Sequence, residues 1–140
     1  MTLGYHIDRE EGLITLRAQG EVTLRALTAT GRSMLADADY DPEFPQLLDF
    51  RGMRVAPSPP AGPAGTDMPA ATDLQRLQQF VSGSYRQQAR AGVAVVIDEK
   101  LESQHCADIY LLTCAIEEAE LFCDYQLALN WLMRQRFAVA

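Results

Sequence analysis

Residues 121–132 read LFCDYQLALNWL: a short apolar run, an aspartate, then apolar residues at helical spacing around the only tryptophan. Aspartate readily accepts hydrogen bonds from the free amides of a first helical turn, so Asp124 marks a helix start. Leu127, Ala128, Trp131 and Leu132 recur three and four apart and predict the stripe that seats this helix. The stretch is therefore a βα unit, with a strand over 120–123.

Working backwards, the same alternation repeats. A helix over 103–118 carries Ile109, Leu112 and Ile116, and residues 92–97 contain VAVVI, an unbroken apolar run that suits a central parallel strand covered on both faces. A further helix starts at Thr66 or Asp67 and runs to about residue 88, with Leu74, Leu77, Val81 and Tyr85 on one stripe. Residues 46–51 form the strand before it. The first helix is capped by Thr23, with Val22 and Leu27 in the positions of a hydrophobic staple. Leu24, Leu27, Met34 and Leu35 make its stripe, with Gly31 where it would approach the sheet closely, and it ends before the polar run 39–45.

At the start of the chain, residues 5–8 and 13–19 flank the polar turn 8–12. Ile14, Leu16 and Ala18 alternate with Thr15, Arg17 and Gln19, the period-two pattern of a strand with one buried face. The order ββαβαβαβα predicts one α/β domain over 1–140. Its sheet is mixed, mostly parallel and five-stranded, with an antiparallel N-terminal hairpin and about four helices. Residues 56–69 hold five prolines and two glycines and break any regular element, so a Pro/Gly-rich loop is expected there.

Composition narrows the function classes. Twelve Lys and Arg against nineteen Asp and Glu leave a net charge of −7, opposite to the basic footprint a phosphate backbone requires, so no nucleic-acid partner is expected. No basic leader precedes an apolar run and no span of membrane length occurs, so a cytoplasmic protein without a membrane span is expected. Cys106, Cys114 and Cys123 are odd in number and fall in expected helix or strand, which points to reduced, buried thiols.

The residues offer little converging chemistry. Asp98, His105 and Cys106 are the residue types of an activated thiol, but adjacent helical positions diverge by about 100°, so His105 and Cys106 are poorly placed to pair. Two histidines and no Cys-x-x-Cys leave no metal set, and Gly52, Gly62 and Gly65 follow no phosphate-binding spacing, so neither a metal nor a cofactor is expected. Asp49, within an apolar strand, needs a partner, and Arg51 shares its face by alternation. In open α/β sheets ligands bind beyond the carboxyl ends of the strands. Arg51, Arg54, Ser58, Asp98 and His105 lie there and are the candidate ligand- or partner-binding residues; no catalytic residue is assigned.

The hairpin YHID…GLITLRAQGEVTL, the strands LLDFRG and GVAVVID, and the closing FCDYQLALNWL resemble the SpoIIAA-like branch of STAS domains, over nearly the whole chain. The resemblance implies a non-enzymatic regulatory or protein-interaction module that binds a protein partner or a second copy of itself. In the better-known members an Asp-Ser pair after the third strand carries a phosphorylated serine. Here Ser58 stands between Pro57 and Pro59 with no preceding aspartate, so that phosphoacceptor motif is lacking. The alternative is a small-molecule binding protein, with its pocket at the strand ends beneath the Pro-rich loop.

Overall fold

The computed structural model describes residues 2–56, 73–85, 91–114, 116 and 119–138. It is an α/β fold on a mixed sheet. β1 (Thr2–Asp8) and β2 (Leu13–Val22) form the antiparallel hairpin, in register from Thr2 opposite Gln19 to Asp8 opposite Leu13. Asp8 shapes the turn by accepting hydrogen bonds from the Glu10 and Glu11 amides at 3.1 and 3.0 Å. There follow α1 (Leu24–Ala36), β3 (Gln46–Asp49), β4 (Met53–Val55), α2 (Asp73–Phe80) with a π-helical turn (Val81–Tyr85), and β5 (Val93–Val96). α3 (Glu99–Cys114), β6 (Ala119–Phe122) and α4 (Tyr125–Ala138) complete the order.

The strands lie in the order β1-β2-β3-β5-β6, with every pairing after the hairpin parallel. Each crossover thus moves the chain one strand in the same direction. With right-handed connections, all three crossover helices must fall on one face. α1, α2 and α3 accordingly share one core with Ile14, Leu16, Leu48, Val93 and Val95. α4 follows the last strand, closes no crossover, and packs the opposite face of β3, β5 and β6, where Leu47, Ala94 and Val96 meet Ala128 and Leu132. β3 and β5 are buried on both faces; β5 (VAVV) is for that reason a continuous apolar run, and β3 (QLLD) is apolar at its centre with a polar residue at each end. The uncovered part of the α4 face carries the exposed His6, Arg17 and Gln19.

Several local expectations are corrected. The strand expected over 46–51 stops at Asp49, and β4 pairs instead with the far half of β2, Gly20 to Val22. The turn between them needs Gly52 in the left-handed region, at φ +75°, and its carbonyl accepts the Gly20 amide at 2.9 Å. α3 begins about one turn earlier than 103 because Asp98 caps it, accepting the Leu101 amide at 2.8 Å. Gly31 approaches α2 and not the sheet: a Cβ there would lie 2.8 Å from Cε1 of Phe80. Leu127, assigned to the seating stripe, is 60% exposed. Cys114 and Cys123 are exposed free thiols and not buried ones. The caps at Thr23 (to Ala26, 3.1 Å) and Asp124 (to Leu127, 3.0 Å) match the reading of the sequence. The expected Pro/Gly-rich loop lies almost wholly outside the described residues.

Candidate functional site

The carboxyl ends of β3, β5 and β6 bring Asp49, Arg51, Asp98 and Tyr125 to one end of the sheet. Asp49 closes β3 and is buried to 1% exposure, because strands flank it on both sides. An ionised carboxylate in that position is tolerable only with charged donors. Arg51 supplies them: Nε donates to Oδ1 and Nη2 to Oδ2, both at 2.9 Å, and its amide adds a third bond at 3.2 Å. Arg17, directly opposite in the β2–β3 register, places Nε 3.6 Å from Oδ2. Burial pushes the Asp49 pKa up, but these hydrogen bonds and the two guanidinium charges outweigh it and hold the carboxyl below its ordinary value.

Arg51 is itself fixed from the other side, its Cζ lying 4.8 Å from the ring centroid of Tyr125 at the start of α4. Its side chain keeps 43% of its surface exposed. The result is a guanidinium held at its Nε/Nη2 edge by a carboxylate and lying over an aromatic ring, on a side chain that stays partly exposed. The Asp49–Arg51 pair expected from alternation is therefore present. Arg17 and Tyr125 escaped the sequence reading because strand register and the seating of α4 put them there.

Asp98 ties two elements together. Oδ1 caps α3, and Oδ2 accepts the Gly52 amide at 2.7 Å. These backbone bonds hold its pKa below the ordinary carboxylate range. The carboxylate thus fastens the β3–β4 turn to the mouth of β5, and the open depression beside it is lined by Asp98, Glu99, Lys100 and Ser103. Arg54, exposed on β4, faces Glu21 in the register. His105 lies on α3 with its side chain, like that of Cys106, outside the described part, and Ser58 lies outside the described residues. Arg51, Arg54 and Asp98 are thus the candidates placed at this end.

The chemistry available here is recognition by held charges. Among the described residues no group of three His, Cys, Asp or Glu is placed to hold a metal ion. The Cys123 thiol, 3.6 Å from Oε2 of Glu102, has its pKa pushed up by partial desolvation and by the neighbouring carboxylates, which disfavours the nucleophilic thiolate. A second polar cluster lies at the other end of β3. The wholly buried Gln46 donates to the Tyr40 hydroxyl at 2.8 Å and accepts from the Tyr85 hydroxyl. Burial pushes the Tyr40 pKa up to about 12 and Tyr85 higher still, so both stay neutral hydrogen-bonding groups. No helix among the described residues is long and apolar enough to cross a membrane. Compared with family models, curated proteins and solved structures, the chain has no match.

Proposed function

We propose that this chain is a non-enzymatic, STAS-like regulatory domain of the cytoplasm that docks a protein partner, or a second copy of itself, at the strand ends. The observation that carries the reading is the Arg51 guanidinium, pinned by Asp49 and Tyr125 on a side chain that is still 43% exposed. A cation whose side-chain freedom is already restricted loses little entropy when a carboxylate meets it, and Nη1, which takes no part in the fork to Asp49, is the donor that remains for it. The carboxylates beside it, Asp49 and Asp98, are engaged in holding the fold, which favours recognition over proton transfer. The net charge of −7 disfavours nucleic acid as the partner, and the free thiols of Cys114 and Cys123 suit a reducing compartment. Arg54 and Asp98 belong to the same proposed surface.

Native mass spectrometry of the protein gently purified from its own cells tests this reading. The expected result is a stoichiometric protein complex or homodimer that Arg54→Glu disrupts, because that exposed residue can change sign without touching the Asp49 cluster. A bare monomer from wild-type cells overturns it. The second reading, a small-molecule pocket at the same strand ends, is favoured by the depression at Asp98, Glu99, Lys100 and Ser103. It predicts a non-covalent small-molecule adduct in the same spectrum.

A further inference from the structure

The three helices on the crossover face do not close fully over the sheet. They leave an apolar cavity of about 100 Å³, on a different face from the strand-end cluster. Leu16, Leu48 and Val95 contribute from the sheet, α2 and its π-helical turn contribute Phe80, Val81 and Tyr85, and α3 contributes Ile109, Leu112 and Thr113. Native cores contain few voids larger than a water molecule, since each forfeits dispersion contacts on all its walls. Water is a poor occupant, because a buried water needs roughly two to four polar partners. Among the described residues, the polar side-chain atoms of the lining are already engaged: Thr113 Oγ1 donates to the Ile109 carbonyl at 2.7 Å, and the Tyr85 hydroxyl donates to Gln46.

The backbone is specialised at the same place. α2 gives way to a π-helical turn at Val81–Tyr85, a departure from regular helix that is frequent at functional sites. Val81 and Tyr85, at its two ends, both line the cavity. Opposite them α1 carries Gly31, where any Cβ would meet the Phe80 ring, so this wall position is reserved for the ring.

We propose that this cavity is a binding site for a small uncharged apolar group of at most about five or six carbons, since an apolar cavity of about 150 Å³, larger than this one, takes benzene and stays dry when empty. The group is either a free apolar molecule or the apolar end of a larger amphipathic one, whose polar head remains outside. The inference does not depend on the interaction reading.

Methyl NMR titration of the full chain with benzene and with 1-hexanol tests it. The expected result is saturable shifts confined to the methyls of Leu16, Leu48, Val81, Val95 and Leu112, with a rise in melting temperature. Tighter binding of benzene identifies a free ring-sized ligand, and tighter binding of 1-hexanol identifies a chain end with its head group outside. Leu112→Phe fills the space and should weaken benzene binding by about tenfold or more, the equivalent of a couple of lost buried methylenes. Shifts absent from these methyls at saturating benzene, or scattered over the surface, overturn the proposal. The wild-type titration decides the question by itself if Leu112→Phe does not fold.

Discussion

At the scale of single residues, Asp49 shows how a sheet position dictates chemistry. Its carboxylate is ionised inside the sheet because Arg51 and Arg17 surround it. The folded-state pKa lies below the unfolded value of about 3.9. Such a group contributes stability that is fully present above the unfolded pKa and is lost as pH falls through the folded one. Asp98 acts in the same direction through its bonds to the Leu101 and Gly52 amides. The unfolding free energy should therefore fall on acidification below about pH 4. Asp49→Asn should remove its share of that slope and lower the neutral plateau by about 1–3 kcal/mol, toward the low end because both arginines are about half exposed. Urea melts between pH 7 and pH 3 check both effects; an unchanged plateau would mean that the ion pairs are solvated away. The Asp49–Arg51 pair was readable from alternation alone. Arg17 was not, because its place opposite Asp49 depends on which residues of two distant strands align.

At the scale of elements, Gly31 decides how α1 meets α2. Replacing glycine by alanine within a helix ordinarily stabilises by about 1 kcal/mol. Here the new methyl would stand 2.8 Å from the Phe80 ring, a ring only 7% exposed that would have to shift from its seat on the cavity wall. Overpacking of that kind costs about 1–3 kcal/mol, so the clash should outweigh the propensity gain. Gly31→Ala is expected to destabilise by up to about 2 kcal/mol, and pairing it with Phe80→Leu should recover part of the loss. A double-mutant cycle by urea denaturation measures this coupling; additive effects would mean that the two helices do not meet there. The helical stripe correctly drew attention to Gly31, but periodicity names a face and not the neighbour that covers it. β4 escaped for a related reason. Its three residues are too few to show a period, and its partner is the far half of β2.

At the scale of the whole molecule, the direction of the chain across the sheet sets which layer holds what. α1, α2 and α3 cover one face because every crossover steps the same way, and among the described residues α4 alone serves the other. Two leucines of α4 should therefore respond very differently. Leu132 is fully buried against Leu47, Ala94 and Val96, and its replacement by alanine should cost about 2–5 kcal/mol. Leu127 is 60% exposed, and Leu127→Gln should stay within about 0.5 kcal/mol of wild type. Thermal and urea melts of the two variants settle whether α4 seats as described; similar losses from both would mean a different rotation of the helix. Local patterning in the chain alone determined the alternation of strands and helices, the caps at Thr23 and Asp124, the doubly buried β5 and the α/β class. These rest on interactions within a few residues, where spacing and side-chain type suffice. Only the tertiary structure decided the stacking of Arg51 on Tyr125, the clasp of Asp98 on Gly52, the contact of Gly31 with Phe80 and the cavity between the helices. Each of these joins segments far apart in the chain, and the distance between such segments is set by packing, which no local pattern encodes.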